Sequence, residues 1–335
     1  MAGLEVSATV VEPADRRAVD VNTRPRPRPD DACQLLTDVR PGGDVAVWPY
    51  PPHCVPGQHQ CMITHVVVPM DGSPLAASAI GPASVLAEAT GASLRLLTAE
   101  PLVPWHEQLQ EAKEYLEEHA AHTGLAGVET LVVGDKPARQ AILVETQAPD
   151  TVICMATHGR GGVGHAALGS VAEDVLRGSG QPLLLVGPTV TCAGPGLRGG
   201  NLLVAVDGSP ASEAIIPVAA DWARTLGLRP WVVEVIPKQQ NITDSHERVV
   251  ESATVRGVAQ SLDNISLPVQ WEVLHDPDAA DALIDYARRL PAVMIAMATH
   301  GRTGLGRVAL GSVAMQVVHR SPCPVLVVRS PNIGA

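Results

Sequence analysis

Short apolar runs alternate along the chain with longer segments in which apolar positions recur at helical spacing. In the first half the runs predict five strands, and the segments between them predict helices. The predicted strands are Thr64–Met70, Ser93–Ala99, Gly127–Val133, Thr151–Ala156 and Pro182–Gly187. The predicted helices are a segment from Ser73-Pro74 to about Thr90, then Glu107–His122, Pro137–Ala148 and Ser170–Gly178. This alternation predicts an α/β fold with an open, doubly wound parallel sheet.

The second half of the chain repeats the first. Asp71 lies 136 positions before its counterpart Asp207, and Gly159 lies 142 positions before Gly301. The matching segments are His65–Pro74 with Asn201–Pro210, Met155–Arg160 with Met297–Arg302, and Ala167–Ala172 with Ala309–Ala314. A period this long indicates duplicated domains rather than a solenoid. The second copy is therefore predicted to run the same way, from a strand at Asn201–Val206 to one at Pro324–Arg329.

The repeat divides the chain into four regions. We predict domains at 61–190 and 200–335, separated by a linker at 191–199 within a junction rich in Gly, Pro and Thr. Residues 1–60 have no counterpart in the second copy. Because Arg24–Pro29 alternates Arg with Pro, which favours extended polyproline conformation, we expect an irregular extension there.

Composition narrows the class of protein. Of the 335 residues 46% are hydrophobic but only 2% aromatic, and Phe is absent, so the core must be aliphatic. The formal net charge of −11 argues against a general nucleic-acid binder, which needs a basic face. No apolar run reaches the roughly 18 residues of a membrane helix, and Met1–Asp20 lacks the apolar core of a signal peptide, so we expect a cytoplasmic protein. Cys154 and Cys323 lie in or beside apolar strands and are expected to be buried thiols.

Two motifs in each copy fall at the carboxyl ends of predicted strands, where open α/β sheets bind ligands. The first is Asp71 or Asp207, directly after strand one, whose carboxylate can accept hydrogen bonds from ribose hydroxyls or a base amine. The second follows strand four. It consists of Ala156–Gly159, nine residues and Gly169-Ser170, matched in the second copy by Ala298–Gly301, nine residues and Gly311-Ser312.

The second motif has the features of a phosphate site. Glycines let backbone N–H groups approach an anion, and Gly-Ser at a helix start places N–H groups and a hydroxyl at the positive end of the helix dipole. The loops also carry Arg160 and Arg302, which can meet phosphate with two hydrogen bonds. Taken singly, each motif is more often a turn or a helix cap. From the residues alone, structural caps and a nucleotide site both stay open.

These motifs resemble those of the universal stress protein family in its tandem-domain form. The family's nucleotide-binding pattern is Gly, two residues, Gly, nine residues and then Gly followed by Ser or Thr. This chain matches it twice, except that Ala156 and Ala298 stand at the first Gly. The Asp-Gly-Ser-Pro turns and the closing strand Pro324–Val328 add to the resemblance, which spans roughly 63–188 and 200–330.

The resemblance implies a fold and a ligand. It implies two tandem Rossmann-like domains, each with a five-stranded parallel sheet of order 3-2-1-4-5, paired through their last strands into an internal pseudo-dimer, with a homodimer as a further option. It also implies that each domain binds ATP, with Mg²⁺ on the phosphates, although the methyl groups of Ala156 and Ala298 are expected to weaken binding. The residues implied to surround adenine, ribose and phosphates are Pro69, Asp71, Ala99, Met155, Ala156, His158, Gly159, Gly169, Ser170 and Val171, with Ala205, Asp207, Val235, Met297, Ala298, His300, Gly301, Gly311, Ser312 and Val313 in the second copy.

The expected function is a nucleotide-dependent regulator or sensor in a stress response, acting on an unidentified protein partner and binding neither nucleic acid nor membrane. One alternative is slow ATP hydrolysis supported by His158 and Asp71, although the chain carries no Walker motif and no adenylating-enzyme signature. Another is a nucleotide-free scaffold. Residues 53–61 add four potential metal ligands in a non-standard zinc spacing, which are otherwise solvated loop residues: His53, Cys54, His59 and Cys61.

Overall fold

In a computed structural model, the structure describes residues 63–99, 106–134, 136–159, 168–190, 195–236, 253–264, 267–299 and 310–329. The predicted extension at 1–60 and the four potential metal ligands within 53–61 lie outside these residues. Domain 1 is the first set of elements, in chain order β1 (His65–Met70), α1 (Pro74–Ser78), α2 (Ile80–Thr90), β2 (Ser93–Ala99), α3 (His106–His122), β3 (Glu129–Val133), α4 (Ala138–Glu145), β4 (Thr151–Ala156), α5 (Ser170–Gly178) and β5 (Leu183–Val186).

Domain 2 repeats this order. Its elements are β6 (Asn201–Val206), α6 (Pro210–Glu213), α7 (Ile215–Leu226), β7 (Arg229–Ile236), α8 (Ala253–Asn264), β8 (Gln270–His275), α9 (Ala279–Arg289), β9 (Ala292–Ala298), α10 (Ser312–Arg320) and β10 (Val325–Val328). The strand and helix positions predicted from the apolar pattern are confirmed, with ends that shift by up to a few residues.

The described strands form one ten-stranded sheet in the order β3-β2-β1-β4-β5-β10-β9-β6-β7-β8. Domain 1 therefore has the predicted order 3-2-1-4-5, and domain 2 has the same order read from the opposite edge. Pairing is parallel within each domain, whereas β5 and β10 run antiparallel, with Leu185 opposite Val325. The expected pairing of the two copies through their last strands is thus present, and we call this β5–β10 junction the seam.

Helices cover both faces of the sheet, and both apolar layers continue across the seam. One layer packs α2 and α7 against the sheet, and the other packs α5, α9 and α10 against the opposite face. The side chains are aliphatic, as the composition predicts, and the central strand β4 is buried along its whole length. Cys154 and Cys323 are buried thiols, as expected. Burial also raises the pKa of the Cys154 thiol, which keeps it protonated and unreactive.

Two local features differ from the sequence-based expectations. The helix predicted from Ser73 to Thr90 is broken at Ala79, whose N–H bonds back to the Ala76 carbonyl, and the same break recurs at Ala214. The junction between the domains was predicted as a linker, and its described part, residues 195–199, includes a 3₁₀ turn at Pro195–Leu197. The Leu197 side chain is fully buried, and its turn lies against α2 of domain 1 and β9 of domain 2. Part of the junction is therefore packed structure.

Within the described ranges, every helix is too short or too polar to cross a membrane.

Candidate functional site

The predicted Asp motifs form tight turns at the carboxyl ends of β1 and β6. After Asp71, Gly72 adopts φ +82°, and the Ser73 N–H donates to Asp71 Oδ1 at 3.0 Å. Ser73 Oγ then accepts from the Ala76 N–H at 3.1 Å and caps α1. Turn and cap are therefore real, and they place a carboxylate at the edge of the sheet where ligands bind.

Domain 2 builds the same turn. Gly208 adopts φ +76°, and Asp207 Oδ1 accepts from both the N–H and the hydroxyl of Ser209, at 3.0 and 2.6 Å. The Ser212 hydroxyl also accepts a hydrogen bond from the Asp207 N–H at 3.1 Å. The matching residue in domain 1 is Ala76, whose methyl side chain cannot make this bond. The two carboxylates occupy equivalent places with slightly different support.

The structure brings the two motifs of domain 1 together. A Cβ atom added at Gly159 would lie 1.9 Å from Asp71 Oδ2, so the backbone of Gly159 passes directly against the carboxylate. Any side chain at this position would displace the Asp71 carboxylate. Glycine is therefore needed here for a close approach rather than for an unusual φ angle. In domain 2 the corresponding Gly301, like His300, lies outside the described residues.

The Gly-Ser motifs start α5 and α10, and the strand-four end holds them in place. The Gly169 N–H donates to the Thr157 carbonyl at 2.8 Å, and the Gly311 N–H donates to the Thr299 carbonyl at the same distance. A Cβ at Gly169 would lie 3.0 Å from the Thr157 oxygen. Among the described residues, no side chain caps either helix start, and Ser170 and Ser312 are exposed. These nine-residue helices thus present N–H groups and a hydroxyl to solvent at their positive ends.

The remaining predicted site residues line the ends of the central strands. Pro69, Ala99 and Val235 are partly exposed, and Val171 at the start of α5 is 37% exposed. The strand-end residues that are almost fully buried are Met155, Ala156, Ala205, Met297 and Ala298. The methyl groups that depart from the family's glycine pattern are therefore packed away, with Ala156 7% and Ala298 6% exposed.

Arg160 and Arg302, the candidate phosphate-binding cations, lie outside the described residues. Within the described part, the charge complementary to phosphate comes from the helix starts, and no group of three or more potential metal ligands occurs there.

The sequence did not predict that His319 lies near the domain 1 site. The His158 ring of domain 1 lies against the His319 ring of domain 2, with 4.7 Å between ring centroids and 55° between ring planes. His319 belongs to α10, which reaches His158 because β5 and β10 pair across the seam. The expected pairing of the last strands indicated that the two domains meet there, but it could not identify which side chains come into contact.

The fold and site together define a class: tandem doubly wound α/β domains, each with an Asp turn and an exposed Gly-Ser helix start at its carboxyl edge. Comparison with known families agrees with that class. The sequence model of the universal stress protein family matches residues 62–187 and 200–329, which is more than half of the chain. The protein belongs to the universal stress protein family.

Curated relatives and a solved structure of the same family match this chain. Universal stress protein Rv1996 of Mycobacterium tuberculosis is 25% identical over 310 residues, covering 80% of this chain and 95% of its own. Rv2005c of the same organism is 27% identical over 194 residues, and the match spans 56% of this chain and 64% of that relative's length. A solved universal stress protein from Archaeoglobus fulgidus superposes with a TM-score of 0.59 at 20% identity, covering 80% of this chain and 98% of its own, which supports the fold.

Proposed function

We propose that each domain binds an adenine nucleotide, ATP with Mg²⁺, at its carboxyl edge, and that the protein acts as a nucleotide-dependent regulator in the cytoplasm. The observation that carries the proposal is the contact of Gly159 with Asp71, which joins the Asp turn and the strand-four loop into one site. The family resemblance supports it, since members with the glycine pattern bind ATP and this chain keeps that pattern in both copies apart from Ala156 and Ala298 at the first Gly.

Each part of the site has a chemical task in this proposal. Asp71 and Asp207 accept hydrogen bonds from ribose hydroxyls, and the exposed helix starts at Ser170 and Ser312 donate to phosphate oxygens. Mg²⁺, when bound, neutralises phosphate charge. The backbone at Ala99 and Val235 faces the base. Occupancy changes the surface that this edge of each domain offers to a protein partner.

A second candidate, slow ATP hydrolysis, draws on the same contact. His158 directly precedes the glycine whose backbone lies against the Asp71 carboxylate, so both residues named for hydrolysis adjoin the same short segment. A steady-state ATPase assay separates the two functions. Turnover above about one per second, the range of ordinary enzymes, would establish an enzyme.

Native mass spectrometry of the purified protein, followed by equilibrium dialysis with labelled ATP, tests the binding proposal. We expect two nucleotides per wild-type chain, one in G169V, one in G311V and none in the double variant. The reason is that a Cβ at Gly169 would lie 3.0 Å from the Thr157 carbonyl oxygen, and Gly311 makes the equivalent backbone hydrogen bond to the Thr299 carbonyl. The matched control is G180V, because nothing lies within 4 Å of a Cβ at Gly180. Undetectable binding to the wild type at millimolar ATP would contradict the proposal and leave a nucleotide-free scaffold.

A further inference from the structure

We propose that the domain 1 site is composite: His319, carried by α10 of domain 2, is a positioning residue that holds the His158–Gly159 segment of domain 1 in its nucleotide-binding conformation. The inference rests on the proposed function and adds a residue from the other domain to one of the two sites.

The two imidazole rings form a close, tilted pair across the seam. Their centroids are 4.7 Å apart, and His319 is only 6% exposed, so its ring is held within the packing between the domains. On the domain 1 side, His158 is held by its neighbour, since Thr157 Oγ1 lies 3.0 Å from His158 Nδ1. A contact with a buried ring of fixed position restricts the rotamers that His158 can adopt.

The backbone on both sides of the seam fixes where His319 sits. A Cβ atom at Gly187, directly after β5, would lie 2.5 Å from the Val318 carbonyl oxygen, so α10 packs against bare backbone there. Thr189 Oγ1 donates to the Ser321 carbonyl at 2.8 Å and is 3.4 Å from the His319 carbonyl. The last turn of α10 is therefore attached to the chain that leaves β5.

The end of β5 also holds Thr157, the residue before His158. The Thr157 N–H donates to the Val186 carbonyl at 3.0 Å, and the Thr157 carbonyl accepts from the Gly169 N–H. His158–Gly159 is thus held from two directions: Asp71 of its own domain lies against Gly159, and His319 of the other domain lies against His158. A shift of the His158 ring would therefore move the neighbouring Gly159 backbone, which lies against Asp71.

The position matching His319 in domain 1 has different chemistry. Both residues are eighth in their helices, but α5 carries Arg177, whose guanidinium pairs with Glu173 on its own helix. The Arg177 side chain is 44% exposed, whereas His319 is buried. The histidine pair thus belongs to the domain 1 site, because the residue of α5 that matches His319 is the exposed Arg177.

The test measures each site separately. H319Q is placed in the G311V background, which leaves the domain 1 site, and in the G169V background, which leaves the domain 2 site. We expect ATP affinity at the domain 1 site to fall about two- to tenfold, the range for loss of one ring pair. Affinity at the domain 2 site should stay unchanged. R177Q in the same backgrounds is the matched control and should leave the domain 1 site unaffected.

A spectroscopic readout distinguishes positioning from general damage. In protein labelled at histidine, the wild type should show a ring-to-ring nuclear Overhauser effect between His158 and His319, and the His158 ring signals should move in H319Q but not in R177Q. Equal loss of affinity at both sites would show that His319 is only structural and would overturn the proposal. So would unchanged affinity at the domain 1 site, or absence of the Overhauser effect in the wild type. If the wild type bound no ATP, the proposed function would fail, while the ring contact would still be measured independently.

Discussion

The residues that follow β5 and β10 occupy matching positions in the two copies, but they make different contacts with the other domain. Behind β5, Gly187 lets the α10 backbone approach closely, and Thr189 bonds to its last carbonyls. Behind β10, the matching position is Arg329, whose Nη1 donates to the Arg177 carbonyl at 3.2 Å on an exposed surface. Duplication has kept the Asp turns and Gly-Ser helix starts nearly identical, whereas the contacts between the copies have diverged. The two sites therefore keep the same elements, while the contacts that join the domains differ between the two sides of the seam.

The junction that follows β5 adds further contacts between the two domains. Leu197 is fully buried between α2 of domain 1 and β9 of domain 2. Arg198 pairs with Glu88 of α2 at 3.0 Å, although both side chains are well exposed, so this ion pair contributes little. The apolar contact is therefore the stabilising part of the junction.

The largest effect is expected from L197A. Removing a fully buried Leu side chain costs about 2–5 kcal/mol in the free energy of unfolding, because it combines lost transfer energy with a cavity. Urea denaturation followed by circular dichroism measures it. The control is V144A, since Val144 is 42% exposed and its truncation should change little. A cost below about 1 kcal/mol for L197A would restore the view of this junction as a plain linker.

G187A should come next. The added methyl group must sit 2.5 Å from the Val318 carbonyl, a backbone atom that cannot move without shifting α10, so we expect a loss of about 1–3 kcal/mol. The same denaturation experiment applies, with G180A as the control because its methyl group would meet open space. Should G187A be as stable as G180A, the close packing of α10 on domain 1 would be wrong.

Much of the fold could be predicted because parallel strands buried on both faces leave a strong apolar signal. Ser93–Ala99, Thr151–Ala156 and Ser170–Gly178 have the predicted bounds. The place of Asp71 and Gly169 at one edge followed from parallel topology, since strand four and strand one end on the same side.

What the sequence could not predict depends on packing between distant segments. The break at Ala79 was not predicted, although a proline lies three residues after it, at Pro82, and likewise after Ala214, at Pro217. Because proline is tolerated in the first turn of a helix, each proline is compatible with a new helix start that the apolar pattern did not reveal. The Gly- and Pro-rich composition around Leu197 predicted a linker, because composition does not reveal that a single Leu is buried. The contact of His158 with His319 requires the antiparallel register of β5 and β10, which no local pattern contains.

The smallest effect belongs to R329A, and it decides whether the seam is asymmetric in energy as well as in contacts. Arg329 makes one exposed hydrogen bond to a helix carbonyl, and water can replace that bond. We therefore expect a change within about 0.5 kcal/mol in the free energy of unfolding, measured alongside G187A. A loss as large as that of G187A would mean that both sides of the seam hold the domains equally. The histidine pair would then be a local difference within a seam that is symmetric in energy.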